Sequence, residues 1–584
     1  MFSVLGKLRW FFKTYWKRYT IAVLALCIVN LLEVVPPMIV GDSIDKIFNG
    51  GMTAQIFTYY IAGMLAIAAA LYGLTYIWQY NLFGGAFIVE KTLRSRLMNH
   101  FLKMAPPFFE KNRTGDLMAR ATNDLRAVSQ TAGFGILTLV DSTMYMLTII
   151  ITMGLLVSWK LTLVSVLPLP FLAAGIKVLG EKIHKRFTVA QDAFGDLNDR
   201  VLESVAGVRV IRAYHQEQAD EAKFRMMTED VYHKNIAVEK IDALFNPLTK
   251  IITGLSYTIG LAYGTYLVFR QQITLGNLVS FNVYLGMLTW PMFAIGELMN
   301  VMQRGNASLD RVQETLRYEE DVKDPDVPKT VENPDEIDFR NFSFQYPQSR
   351  NKNLRDIHLH IHKGDTIGIV GKTGSGKTTL IKQLLREYPL GSGVLSVSGT
   401  PIEELEKGKV RSWIGYVPQD HILFSRTVKE NILFGVDTSS EEELQKVIRI
   451  TALEKDIGML PNGLDTLVGE KGVALSGGQK QRISIARALI KNPEILILDD
   501  ALSAVDAKTE SAIIANIRKE RQNKTTIIAT HRLSAIEHAQ WIIVLDGGRI
   551  AEEGTHEQLL ERRGWYYEQY MRQQVLASHE EVKA

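Results

Sequence analysis

Between Lys46 and Glu90 the chain carries no charged side chain at all. A soluble domain seldom leaves so long a run uncharged, whereas a bilayer core requires about 20 consecutive apolar residues per helix. The run is therefore read as membrane-embedded. Further apolar stretches follow: "LTIIITMGLLVSW", "LTLVSVLPLPFLAAGI", "IITGLSYTIGLAYGTYLVF" and "ITLGNLVSFNVYLGMLTWPMFAIG". With the segment before Lys46 they predict six spans, near 20–40, 57–83, 136–158, 161–180, 248–269 and 276–300. The third and fourth meet at a short turn around Trp159 and Lys160, forming a hairpin.

Basic residues in the connections set the orientation. Five stand in the N-terminal stretch (Lys7, Arg9, Lys13, Lys17, Arg18), eight between Lys91 and Arg126, and eleven between Lys177 and Lys240. The other connections hold one each, Lys46, Lys160 and Arg270, so both termini are placed in the cytosol. The opening "FSVLGKLRWFFKTYWKRY" alternates aromatic and basic residues, as suits a helix in the headgroup region anchored by Trp10 and Trp16. It lacks the small-residue cleavage site and compact apolar core of a signal peptide. The two long cytosolic connections read as helices that carry the spans well out of the bilayer. They turn near "TGDLMARATNDL" and "ESVAGVRVIRAYHQ", the natural places to touch a cytosolic engine. A net charge of +3 over 584 residues gives no reason to expect nucleic acid as a partner; membrane lipid is the expected surroundings. The single cysteine, Cys27, excludes an intrachain disulfide.

Three acids sit within or near the spans, Glu33, Asp141 and Glu297. Intramembrane carboxylates are costly and usually face a cavity or a partner. Two readings stay open: contact with cationic amphiphiles, or positions at helix exits paired with basic neighbours. The aromatics Tyr72, Tyr76, Trp78 and Tyr80 have stacking on ligands as one reading, with helix packing or the interfacial belt preferred over it.

The acidic, proline-punctuated stretch 318–335 separates this half, 1–317, from a segment 336–575 that alternates strand and helix patterns, followed by a polar tail, 576–584. "GKTGSGKTT" follows the apolar "TIGIV" and opens a helical run. It fits the phosphate-binding P-loop, predicting nucleotide contacts from Gly371, Lys372, Thr373, Gly374, Ser375, Gly376, Lys377, Thr378 and Thr379. Its glycines let backbone N–H groups encircle phosphate oxygens at a helix N-terminus. Lys377 brings a point charge to the β/γ-phosphates, and the Thr378 hydroxyl is placed to ligate Mg²⁺. "EILILDD" is the partner of such a loop, a buried strand whose terminal Asp499 reaches the metal. His358, His360 and His362 alternate along one strand face, which is read as solvent-facing rather than metal-binding.

Four further stretches resemble the ATP-binding cassette family. "LSGGQKQR" is similar to its signature, implying that Ser476, Gly477, Gly478 and Gln479 bind the γ-phosphate of the ATP held by an opposite subunit. By the same resemblance Gln419 in "YVPQD" senses the metal and contacts the membrane half, "SAVD" (503–506) joins two ATPases, and His531 in "ATHR" contacts the γ-phosphate. Tyr346 stands where the family stacks an aromatic on adenine, and "TLVGEKG" looks like an exporter segment that meets the membrane-domain turns. The resemblance covers the whole chain in the order of a multidrug-type exporter half-transporter. It implies an all-α membrane domain of six transmembrane helices with long cytosolic extensions, fused to a cytosolic α/β P-loop ATP-binding cassette domain. The implied cofactors are ATP and Mg²⁺, and the implied location is the cytoplasmic membrane.

One position departs from the family. Asp500 stands where most members carry a glutamate that activates or positions the attacking water, and aspartate is one methylene shorter. The expectation is a degenerate site that binds ATP well and hydrolyses it poorly. An intact signature would then complete a competent site on a second, non-identical half-transporter. A homodimer that tolerates aspartate, a lipid flippase or a peptide exporter are the alternatives. A nucleotide-gated channel would need rings of polar pore-lining residues, and the spans show only scattered acids.

Overall fold

The structure, a computed structural model, describes residues 3–469 and 475–581. The residues 470–472 of "TLVGEKG" and the last residues of the tail, 582–584, lie outside the described residues. The chain divides into two compact units, Met1–Leu102 with Thr114–Tyr318, and Lys103–Arg113 with Glu319–Ala584.

The first unit is helical. Five stretches among the described residues are long and apolar enough to cross a membrane: Trp16–Phe48, Ala54–Lys103, Thr114–Val166, Glu217–Phe269 and Leu275–Arg317. At 1.5 Å per residue, Ala54–Lys103 extends about 75 Å, far beyond a 30 Å hydrocarbon core, as expected for a span with a cytosolic extension. The stretch Thr114–Val166 contains the junction of the predicted hairpin. Ser158 turns extended (φ −173°, ψ 125°), and its hydroxyl accepts the N–H of Leu161, restarting the helix at Trp159. The break thus falls one residue before the expected turn, because Ser158 serves as N-cap. The helix Leu169–Ala206 then continues for 38 residues.

Close packing in this unit depends on small residues and on satisfied carbonyls. A Cβ on Gly276 would lie 1.9 Å from the carbonyl oxygen of Gly41, so only glycine lets these two helices approach so closely. Beside Pro36 and Pro37 the carbonyls of Val34 and Pro37 accept from Tyr284 Oη (2.6 Å) and Ser280 Oγ (2.7 Å). The N-terminal helices Ser3–Lys7 and Arg9–Thr14 bury Val4, Leu8 and Phe11 against protein, and Trp10 stacks with Arg96 at 4.1 Å. Lys7 holds them to Asn306 (2.9 Å) and Asp310 (2.5 Å), so this amphipathic face is spent on the bundle; of the two expected anchors Trp10 is half-buried and Trp16 is exposed.

A buried carboxylate joins two helices near their polar ends. Asp124 accepts from Ser308 Oγ at 2.9 Å and from Arg311 Nε at 2.9 Å. Asp124→Ala leaves both donors without their acceptor and is expected to lower stability by about 2 kcal/mol. Scanning fluorimetry in nanodiscs should show the loss, with ATP affinity unchanged.

The second unit is α/β. Strands β1 (Glu336–Phe344), β2 (Leu354–His362), β4 (Ser392–Val397) and β5 (Thr400–Pro401) form an antiparallel sheet in the order β2-β1-β4-β5. In β2 the residues Ile357, Leu359 and Ile361 point inward, while His358, His360 and His362 face solvent. The second sheet runs β10 (Arg549–Gly554), β9 (Trp541–Asp546), β3 (Thr366–Gly371), β8 (Thr525–Ala529), β7 (Ile495–Asp499) and β6 (Ile414–Val417), all parallel except β10. Strands β7 and β8 are buried along their whole length, the mark of a parallel sheet covered on both faces. Register aligns Asp499 with Ala529 and Gly371 with Leu545, so the carboxyl ends of β3, β7 and β8 open onto one crevice, where parallel α/β sheets bind ligands.

Candidate functional site

The turn from β3 into the helix Lys377–Leu384 is built on glycine. Gly371 (φ 151°), Gly374 (φ 80°) and Gly376 (φ 112°) adopt left-handed backbone, which L side chains rarely enter. A Cβ on Gly371 would sit 2.2 Å from the Leu545 carbonyl oxygen, whereas one on Gly374 would meet nothing within 4 Å. The loop is therefore closed on the sheet side and open toward a ligand. Lys372, Thr373 and Gly374 are exposed, and the buried hydroxyl of Ser375 has no hydrogen-bond partner.

Lys377 is buried, and its Nζ donates to the carbonyls of Gly371 (2.9 Å) and Lys372 (3.2 Å). Burial pushes the ammonium below the ordinary lysine range, while the charges of Asp500 and Asp499 oppose that shift. Thr378 Oγ1 donates to Asp499 Oδ1 at 3.1 Å, and the other carboxylate oxygen of Asp499 is buried without a partner. Burial raises the Asp499 pKa against the hydrogen bond from Thr378. An unpaired carboxylate oxygen beside a threonine hydroxyl and the glycine-built loop fits a hard divalent cation with oxygen ligands.

Asp500 follows on β7 with φ 49°, and its N–H donates to the Ala529 carbonyl at 2.8 Å. His531 lies beyond the end of β8, with its ring exposed and its carbonyl accepting from Gln573 at 2.8 Å. Partial burial and the charge of Lys377 hold that ring below the ordinary histidine range, against Asp500. Gln419 is exposed in the turn after β6, next to β7. Sequence reasoning missed His421 two residues on, whose ring nitrogens are buried and unpartnered. Nothing in its local pattern separates it from a loop histidine.

Tyr346 Oη donates to Thr379 Oγ1 at 3.1 Å, tying the expected adenine platform to the P-loop helix. Its ring meets Tyr388 edge-on at 4.8 Å, and Tyr388 Oη donates to Glu110 Oε1 at 2.5 Å. Glu110 belongs to Lys103–Arg113, which interrupts the membrane half in sequence but groups with the ATPase unit by its contacts. Tyr388 and Glu110 were also missed, since no short-range signal links residues so far apart.

Ser476 caps the helix Gly477–Leu489 in a reciprocal box with Gln479. Gln479 Nε2 donates to Asp456 at 3.1 Å, and Gln481 bonds both Ser503 (3.0 Å) and the Ala504 N–H (2.9 Å). A Cβ on Gly478 would lie 3.0 Å from the Ala504 carbonyl oxygen. The bonds of the signature-like residues thus run to the 503–506 loop and Asp456. The structure gathers the residues from Gly371 to Thr379 with Asp499, Asp500, His531 and Tyr346, and holds Ser476, Gly477, Gly478 and Gln479 in this separate network.

Residues 19–292 match the family described as ABC transporter transmembrane region, and residues 354–503 match the ABC transporter family. The chain is 63% identical over 580 residues to a probable multidrug resistance ABC transporter ATP-binding/permease protein, YheI of Bacillus subtilis (strain 168), covering 99% of each. It is 41% identical to the multidrug resistance-like ATP-binding protein MdlA of Escherichia coli (strain K12), over 98% of this chain and 97% of that one. Among solved structures, a bacterial Atm1-family ABC exporter with ATP bound superposes with a TM-score of 0.78 at 26% identity, over 95% of this chain and 98% of the other. With both halves matched and full-length relatives on either side, the chain belongs to the ATP-binding cassette transporters, as an ATP-hydrolysing exporter with its membrane and nucleotide-binding domains fused in one polypeptide.

Proposed function

We propose that this multi-pass protein of the cytoplasmic membrane is one half of a heterodimeric exporter of hydrophobic and amphipathic drugs, and its degenerate-site half. The observation that carries the reading is Asp500, a short carboxylate on a backbone pinned by its hydrogen bond to Ala529. The multidrug wording of the relatives' names supports the class of cargo. In this reading residues Gly371 to Thr379 hold the phosphates, with Lys377 as the point charge, and Tyr346 stacks on adenine. Thr378, Asp499 and Gln419 would hold Mg²⁺, which would supply positive charge to offset that of the phosphates. His531 contacts the γ-phosphate. Asp500 occupies the base position without the reach to serve it well, while Ser476, Gly477, Gly478 and Gln479 serve the P-loop site of a non-identical partner.

Export follows from differential affinity. ATP shifts the transporter from inward- to outward-facing only by binding the closed pair of ATPase domains more tightly than the open pair. The test is phosphate release by the purified chain in nanodiscs, alone and with its partner. The chain alone should turn over roughly tenfold or more slowly, the scale on which a positioned base matters. Brisk turnover by the chain alone overturns the reading. Stimulation of the complex by lipid but by no drug would favour the flippase.

A further inference from the structure

The loop after β6 leaves the sheet beside the carboxyl end of β7, since Val417 pairs with Leu498 in register. Its backbone is pinned around His421. The Ile422 N–H donates to the Asp420 carbonyl at 3.1 Å, closing a tight turn with His421 at its apex. Arg487 Nη1 donates to the Ile422 carbonyl at 3.0 Å, and the Phe424 N–H donates to Asn431 Oδ1 at 2.9 Å. The imidazole is therefore held in place by bonds that are not its own.

The ring is half-buried, and both of its nitrogens are shielded from solvent without a hydrogen-bond partner. A neutral imidazole carries one donor and one acceptor, so two bonds are left unmade in a shielded place. A packing role would be served better by an apolar side chain of similar volume. The negative charges that act on the ring are those of its neighbour Asp420 and of Asp500, beyond the end of β7. Asp500 is the short carboxylate, on a backbone held by the Ala529 carbonyl.

We propose that His421 is a positioning residue for hydrolysis at this chain's own P-loop: one water donates an O–H to Asp500 and its other O–H to a ring nitrogen of His421. Two fixed acceptors then orient the water where aspartate alone does not, leaving an oxygen lone pair free for the γ-phosphorus. As that oxygen bonds to phosphorus, the bond from phosphorus to the bridging oxygen breaks and ADP leaves. One proton passes to Asp500, and the other stays on the phosphate product. This role rests on the reading of Asp500 as a short base and deepens it, by naming the group that supports what slow turnover the site retains.

The test is phosphate release by the complete transporter in nanodiscs, with the partner's catalytic glutamate replaced by glutamine so that only this chain's P-loop site turns over. His421→Leu should lower kcat about tenfold or more, with the KM for ATP within about twofold. Its melting temperature should hold or rise, because an apolar group of similar size replaces two unmade bonds. His421→Gln, which keeps an acceptor at similar reach, should retain kcat within about threefold. In the Asp500→Glu background the longer carboxylate orients the water by itself, so His421→Leu should then cost less than about twofold. A leucine variant that keeps wild-type kcat, one that loses ATP affinity or melting temperature along with kcat, or an equal loss in both backgrounds overturns the role of His421. So does a wild-type site with no measurable phosphate release. Brisk release by the chain without a partner sinks the degenerate-site reading alone, since the effect of His421→Leu on kcat is read in that preparation too.

Discussion

Replacing Asp500 with glutamate is expected to switch on hydrolysis at this chain's own P-loop. In a complex whose partner has lost its catalytic glutamate, turnover should rise by about tenfold to a hundredfold, within the range a positioned general base supplies. The backbone explains why one methylene decides the outcome. Asp500 is fixed in left-handed conformation at φ 49°, and its N–H is bound to the Ala529 carbonyl, so the carboxylate cannot advance by a shift of the main chain. Reach is set by side-chain length, and glutamate adds one carbon–carbon bond, about 1.5 Å. Aspartate is among the residues that tolerate this conformation best, so the substitution costs about 1 kcal/mol of stability while it gains chemistry. ATP affinity should stay within about twofold, because the phosphate cradle is untouched. Phosphate release measured against a coupled standard checks the result. A variant that binds ATP and still fails to turn over would place the defect elsewhere than in the carboxylate.

How much of this was readable beforehand differs between the two halves for physical reasons. A bilayer imposes composition, so the uncharged run from Lys46 to Glu90 announces its surroundings without any tertiary information. Phosphate binding imposes backbone shape, and the glycines at 371 and 376 are fixed positions of that loop, with Gly374 an additional left-handed residue. Both signals are local. The long-range contacts are not: the one between Tyr388 and Glu110 spans 278 residues, and the one between Asp124 and Arg311 within the membrane unit spans 187. Neither pair has a pattern of its own, and the grouping of Lys103–Arg113 with the ATPase unit rests on such contacts. The acids Glu33 and Asp141 stood out as costly residues, but only packing brings them together with Trp78 and Trp290 around one cavity. Ser158 shows the intermediate case. The break between two spans is visible in the sequence, and its placement depends on which side chain caps the next helix.

Lys377→Met should weaken nucleotide binding at this chain's own site by about a hundredfold while leaving the partner's P-loop filled. The Lys377 ammonium is held by two loop carbonyls, at 2.9 and 3.2 Å, and by the field of Asp499 and Asp500. A phosphate chain entering the cradle would replace weak carbonyl partners with full charges in a desolvated setting, and that exchange is where the affinity arises. Removing the ammonium is expected to cost about 3 kcal/mol, roughly a hundredfold in Kd. Methionine keeps the stem packed, and only two carbonyl acceptors lose a donor, so the melting temperature should fall by little. Arginine should not rescue binding, since a planar guanidinium does not fit a loop closed around a point charge. The decisive readout is stoichiometry: the wild-type complex should bind two ATP molecules, and the Lys377→Met complex one. Two bound molecules in the variant would show that Lys377 does not hold this nucleotide. A loss of both would show that the two sites fill only together, and that this P-loop is required for the closure on which hydrolysis at the other site depends.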